Sequence, residues 1–68
     1  MKKVLLNGKK LEISDNILTI ADLLSSMSIP TVGTAVALND KVVRKADHEA
    51  TAIEDNDTVE IVRAVAGG

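Results

Sequence analysis

The first informative stretch of the chain is residues 2–14, KKVLLNGKKLEIS. Asn7-Gly8 is a preferred dipeptide of the two-residue type I′ hairpin turn, whose backbone twist matches that of the flanking strands. This turn places Lys3 opposite Glu12 on one face. The other face then carries four apolar residues of the pattern: Val4, Leu6, Leu11 and Ile13. Turn chemistry and hydrophobic alternation agree on one register, so we predict a β-hairpin.

A single helix is predicted after the hairpin. Its apolar stripe has the spacing i, i+3, i+4 and i+7: Ile20, Leu23, Leu24 and Met27. Thr19 is a suitable N-cap, and Asp22 places an acidic group in the first turn. Pro30 favours extended backbone at the residue before it, so we expect the helix to end near Ser28.

The second half of the chain predicts three more strands. We place them at residues 34–38, 42–43 and 58–65, with turns at 39–40 and 54–57 and a loop or single helical turn over 45–52. The last strand is apolar on both faces, which favours a central strand covered at least in part on both sides. The resulting order is β-β-α-β-β-β. We therefore predict an α+β domain over residues 1–65, with a mixed five-stranded sheet packed on one main helix and a flexible tail at 66–68.

Composition excludes several classes of protein. The 68 residues include no Cys, Phe, Tyr or Trp, and the formal net charge is −2. No disulfide or thiolate chemistry is available, and no aromatic side chain can stack on a base. A slightly negative net charge does not favour binding to nucleic acid, and no apolar run is long enough for a membrane span or signal peptide. We expect a cytoplasmic protein without nucleic-acid or membrane partners, monomeric, with no room for a large internal ligand cavity.

Conventional catalytic or metal-binding constellations do not emerge from the sequence. His48 is the single histidine and has no cysteine or second histidine to join it, so we interpret it as a solvated loop residue. Asp55 and Asp57 lie in a predicted turn, where Asx-turn chemistry accounts for them. Lysines crowd the hairpin, and six acidic residues lie between Ala46 and Val62. We interpret both charge groups as solvated surface, ahead of a role in steering a partner.

The C-terminal residues 62–68, VRAVAGG, are the most specific functional feature. They lead from a predicted strand directly into Gly67-Gly68, which have no side chains and wide backbone freedom. Such a tail can thread a narrow cleft and present its carboxylate to a partner enzyme. The alternative interpretation is a frayed chain end without a role.

This stretch resembles the end of the sulfur-carrier proteins of thiamine biosynthesis (ThiS-like), which are ubiquitin-like β-grasp domains. The resemblance covers nearly the whole chain; the segments that carry it, besides the tail, are residues 3–8, 18–24, 36–43 and 55–60. Ala66 occupies the position at which many members have a third glycine. Asn56 occupies the position of a glycine in their turn before the last strand. Asparagine can adopt positive φ, so the turn is expected to persist. The tryptophan that many members carry after the middle turn is absent here.

The resemblance implies a protein co-substrate rather than an enzyme. Gly68 would be adenylated by an E1-like enzyme and then converted to a thiocarboxylate that gives its sulfur to thiazole synthase. Gly67 and Ala66 would thread into the partner enzymes. ATP and magnesium would be used by the adenylating enzyme, and the sulfur would come from a donor such as a cysteine desulfurase system. The resemblance implies no catalytic residue, no metal ligand and no bound cofactor in the carrier itself.

Three other functions remain open at the level of the sequence. The small subunit of molybdopterin synthase shares the fold and the diglycine end, although it usually carries aromatic and proline residues near its tail. A ubiquitin-like modifier that forms isopeptide bonds with lysines would have the same end. A plain interaction module with a functionless tail is the fourth possibility.

Overall fold

The computed structural model describes residues 1–63, which form a five-stranded sheet with a helix packed on one face. The elements in chain order are β1 (Lys2–Leu6), β2 (Lys9–Ile13), α1 (Ile20–Ser26), β3 (Thr34–Leu38), β4 (Lys41–Val43), a 3₁₀ helix (Lys45–Asp47) and β5 (Thr58–Arg63). Neighbours in the sheet follow the order β2-β1-β5-β3-β4, with β1 and β5 parallel and the other pairs antiparallel. The predicted mixed sheet, element order and central position of the last strand are confirmed. Residues 64 and 65 of the predicted last strand, and the predicted tail at 66–68, lie outside the described residues.

The first hairpin has the predicted register. Lys3 pairs with Glu12 and Val4 with Leu11, and both Asn7 and Gly8 have the positive φ values, 49° and 83°, that a type I′ turn requires. Leu11 lies on the predicted face but is 37% exposed. It lies on β2, the edge strand of the sheet, so only part of its side chain is covered.

The helix α1 has the predicted N-cap, Thr19, and the structure adds a reciprocal capping box with Asp22. The backbone N–H of Asp22 donates to the Thr19 hydroxyl at 3.1 Å, and the Asp22 carboxylate accepts from the backbone N–H of Thr19 at 3.2 Å. Three members of the predicted apolar stripe, Ile20, Leu23 and Leu24, are buried, whereas the fourth, Met27, is 42% exposed. The helix ends at Ser26, and Met27 is already its C-cap, with φ −98° and ψ 4°. Ser28 then adopts a positive φ of 57°, which turns the chain away.

The capping carboxylate predicts a pH dependence of stability. The pKa of Asp22 is lowered, mainly because the backbone N–H of Leu18 donates to it, with further bonds from Thr19 and the charge of Lys2. A carboxylate with a lowered folded-state pKa stabilises the fold above its unfolded pKa of about 3.9, and this contribution is lost as the pH falls through the folded pKa. We expect Asp22→Asn to flatten the loss of stability in urea unfolding between pH 5 and pH 2. The control is Glu49→Gln, which removes the charge of an exposed carboxylate. An equal flattening by both variants would contradict the role of the cap.

The core between the sheet and α1 is entirely aliphatic. Its members are Val4, Ile13, Ile20, Leu23, Leu24, Val36, Ile53 and Val59. Val59, on the central strand β5, is fully buried, so the strand that leads to the C-terminus is anchored in the middle of the domain. The uniform, stiff side chains favour one well-defined packing arrangement.

Lys2 departs from the interpretation of the hairpin lysines as solvated surface. Its ammonium group is partly buried and donates to the backbone carbonyls of Ile17, at 2.8 Å, and Ile53, at 3.0 Å. These bonds tie β1 to the segments on either side of α1. Lys3, Lys9 and Lys10 are exposed, as expected.

Candidate functional site

The structural root of the predicted tail is the end of β5. This strand lies between β1 and β3, and its pairing with β3 continues to the last described residue, where Arg63 pairs with Thr34. Ala66, Gly67 and Gly68, the residues that the sequence singled out, lie outside the described residues.

The side chain of Asn7 holds the end of β5 on its β1 side. Backbone pairing between β1 and β5 stops at Leu6 and Val59, and the N–H of Asn7 donates to the Val59 carbonyl at 2.9 Å. Beyond that point the chain turns away at Asn7-Gly8. The Asn7 amide then binds both backbone groups of Ile61: its Oδ1 accepts from the N–H at 2.8 Å, and its Nδ2 donates to the carbonyl at 3.1 Å.

Asn39 makes a comparable contact at the other end of β5. It lies in the β3–β4 turn with φ 50°, and its Oδ1 accepts from the backbone N–H of Thr58 at 2.9 Å. Its Nδ2 donates to the Asp57 carboxylate at 3.0 Å. The two turn asparagines thus fix the first and the fourth residues of the same strand. Sequence pattern alone predicts only turns at these two positions and gives no sign of the contacts with β5.

The outer face of the sheet is open around the root of the tail. Val62 is 60% exposed and Leu5 is 36% exposed on this face, and Glu60 lies between them along a shallow surface depression. The expectation that β5 would be covered in part on both faces was wrong for this side. The helix packs on the opposite face, and no other element of residues 1–63 covers the outer one. Val62 is therefore the exposed apolar residue of β5 on the outer face of the described sheet.

The acidic turn before β5 is structural, as the sequence indicated. The Asp55 carboxylate accepts from the backbone N–H of Lys3 at 2.7 Å, and the Asp57 carboxylate accepts from that of Glu54 at 2.8 Å. Asn56 has a φ of 71°, so it does occupy the conformation for which a glycine is the usual choice. The Asp55 carboxylate thereby ties this turn to β1, and the Asp57 carboxylate closes the turn itself.

The interpretation of His48 as a solvated loop residue was wrong. The side chain is only 3% exposed, and its Nε2 lies 3.3 Å from the Val43 carbonyl oxygen. The backbone carbonyl of His48 accepts from the N–H of Ala21 in the first turn of α1, so the 3₁₀ segment folds against the helix start and carries the imidazole inward. Its Nδ1 has no hydrogen-bond partner among the described residues.

Residues 1–63 contain no candidate metal centre. No group of three or more His, Asp or Glu in this part of the chain could hold a metal ion. The Ser26 hydroxyl donates locally to the Leu23 carbonyl, as expected for a serine near a helix end. No helix in the described segment is long and apolar enough to cross a membrane.

Two solved structures are similar to this architecture over nearly its full length. A crystal structure of the thiamine biosynthesis protein ThiS from Geobacter metallireducens matches with a TM-score of 0.83 and 28% identity, covering 97% of this chain and 99% of that one. A solution NMR structure of a thiamine biosynthesis protein from the same organism matches with a TM-score of 0.80 and 28% identity, covering 97% and 87%. No curated protein sequence matches. The sheet order, the single helix and these likenesses define a ubiquitin-like β-grasp protein.

The sequence model of the ThiS family matches residues 4–68. The chain belongs to the ThiS family, and the family proposed from the sequence motifs is therefore confirmed. The match extends through the diglycine residues that lie beyond the described part of the structure.

Proposed function

We propose that this protein carries sulfur for thiamine biosynthesis as a thiocarboxylate on Gly68. Its family membership and its likeness to ThiS support a sulfur-carrier role in that pathway. The observation that carries the finer proposal is the course of β5, a central strand fixed on both sides that leads towards Ala66-Gly67-Gly68. From Arg63, the five remaining residues can extend at most about 17 Å from the domain.

The chemistry at Gly68 follows from the weakness of a carboxylate as an electrophile. A carboxylate oxygen attacks the α-phosphorus of ATP, pyrophosphate leaves, and the carbonyl carbon gains AMP as a leaving group. A sulfur nucleophile, such as hydrosulfide, then attacks that carbon, and AMP departs to leave a thiocarboxylate. Magnesium, bound by the partner enzyme with ATP, offsets the phosphate charge.

The carrier contributes positioning and no acid–base group. Gly67 and Gly68 lack a β-carbon, so a partner can close tightly around them, and Ala66 adds only a methyl group. The rest of the domain provides the surface that partner enzymes bind. The partners in this proposal are an E1-like adenylating enzyme, a sulfur donor such as a cysteine desulfurase system, and a thiazole synthase that receives the sulfur.

Intact-protein mass spectrometry tests this function. The purified protein is incubated with the cognate adenylating enzyme, ATP, magnesium and sulfide, and we expect a mass gain equal to one sulfur minus one oxygen. Omission of ATP is the control and should leave the mass unchanged. Fragmentation should place the change on Gly68.

Two other results would overturn the proposal. Covalent adducts with lysines of other proteins, without a thiocarboxylate, would identify a modifier. Sulfur transfer that supports molybdopterin formation but not thiazole formation would identify the small subunit of a molybdopterin synthase instead.

A further inference from the structure

We propose that Asn7 is a positioning residue, whose side-chain amide fixes the point on β5 from which the C-terminal residues are presented to the adenylating enzyme. This inference rests on the function proposed above. It concerns a residue of the first turn that is far from Gly68 in sequence.

The inference begins with the uneven support of β5. On the β3 side its pairing continues to Arg63. On the β1 side, backbone pairing ends at Val59, because β1 turns back into β2. Without another partner, the N–H and carbonyl of Ile61 would be unpaired at the strand edge nearest the tail. Unpaired backbone groups at a strand end favour fraying, since water competes for them.

Asn7 supplies the missing partner with its side chain. The amide offers one acceptor and one donor in a plane, as a peptide group does. It binds the Ile61 N–H at 2.8 Å and the Ile61 carbonyl at 3.1 Å. The pairing on this side is thereby extended by one step, in place of the backbone that the turn has redirected. A glycine would make the same turn without this contact.

The consequence lies in the entropy of binding. The segment from Arg63 to Gly68 starts two residues after Ile61, the residue that the Asn7 amide binds. If the strand frays back to Val59, more of the chain must be ordered when the enzyme binds the end, and each residue that becomes ordered adds a cost in backbone entropy. Such a cost raises KM and leaves the chemical step unaffected, because the bound geometry is the same.

Asn39 provides a matched control within the same strand. Its amide also accepts from a β5 backbone N–H, at Thr58, but at the end remote from the tail. Both residues lie in two-residue turns with φ near 50°, so Gly is tolerated at either position. Asn7→Gly and Asn39→Gly therefore remove similar contacts from opposite ends of β5.

The first measurement is amide hydrogen exchange of the protein alone. We expect Asn7→Gly to raise the exchange rate of the Ile61 N–H about tenfold, as loss of one hydrogen bond implies, with Thr58 unchanged. Asn39→Gly should do the reverse. Asn7→Asp keeps the acceptor for the Ile61 N–H and loses the donor, so it should expose this N–H less than Asn7→Gly, and it serves where the glycine variant folds poorly.

The second measurement is thiocarboxylate formation with the cognate adenylating enzyme under conditions where each variant is folded. We expect Asn7→Gly to raise KM about three- to tenfold with kcat within about twofold, and Asn39→Gly to leave both constants unchanged. Equal effects of the two variants, or an effect of Asn7→Gly confined to kcat, would overturn the positioning role. If the unmodified protein fails to gain sulfur, the proposed function is overturned. The hydrogen-exchange comparison would still test separately whether Asn7 holds the Ile61 N–H.

Discussion

Addition of a single alanine after Gly68 is expected to reduce thiocarboxylate formation at least about a hundredfold. The extra residue moves the terminal carboxylate by about 3.5 Å along an extended chain, and a misplacement of about 1 Å can already cost a hundredfold in rate. It also puts a β-carbon where the proposed partner cleft accepts only glycine. The domain itself should be unaffected, because residues 1–63 contain the whole described core.

This expectation is checked by intact mass and by urea unfolding. The control carries the same alanine before Met1, a residue that is 74% exposed and whose ammonium makes only an exposed ion pair, with Asp15; it should form the thiocarboxylate at the parent rate. Both extended proteins should unfold at the parent urea concentration. Normal sulfur loading of the C-terminally extended protein would contradict the role of Gly68, even if the protein still belongs to the same family.

Local signals account for the features that the sequence predicted well. The hairpin register follows from Asn7-Gly8 and the alternation around it, and the start of α1 follows from Thr19 and Asp22, three residues apart. In each case the deciding contacts lie within a few positions in the sequence. The order of elements then left one helix to cover one face of a mixed sheet, which fixed the fold class.

The features that escaped prediction depend on contacts distant in sequence. The Asn7 amide binds Ile61, 54 positions away, and the Lys2 ammonium binds the Ile53 carbonyl, 51 positions away. His48 becomes buried because its segment folds back on the start of α1. No hydrophobic periodicity in residues 45–52 predicts this contact. A hint was available for Asn7, since glycine would also suit that turn position while an asparagine brings an additional donor and acceptor.

Val62 shows how a correct position in the sheet can lead to a wrong environment. Its apolar neighbours indicated a central strand, and β5 is central. Coverage of both faces would have required a second layer on the outer side of the sheet, and the described residues contain one α-helix, on the other side. Val62 therefore remains exposed on the outer face of the described sheet.

The packing of α1 gives the prediction with the largest expected effect on stability. Leu23 is 1% exposed and lies in the aliphatic core beside the sheet. Leu23→Ala should reduce the free energy of unfolding by about 2–5 kcal/mol, because it removes buried methyl groups and leaves a cavity that a close-packed core fills only in part. A chain of this size has a total stability of about 3–10 kcal/mol, so this single change removes a large share of it.

The matched control is Leu18→Ala. This leucine is 57% exposed, and its only long-range contact in the backbone hydrogen-bond network is its carbonyl, which accepts from Ile53 and is kept by alanine. In thermal unfolding we expect Leu23→Ala to lower Tm by about 10–30 °C, and Leu18→Ala to lower it by only a few degrees. Equal losses in the two variants would mean that α1 is not packed on the sheet as described.

Because β5 is anchored in the same core through Val59, a destabilised core should also release the strand that presents Gly68. Thiocarboxylate formation by Leu23→Ala should therefore fall with rising temperature in parallel with its unfolding curve, while Leu18→Ala retains the parent profile.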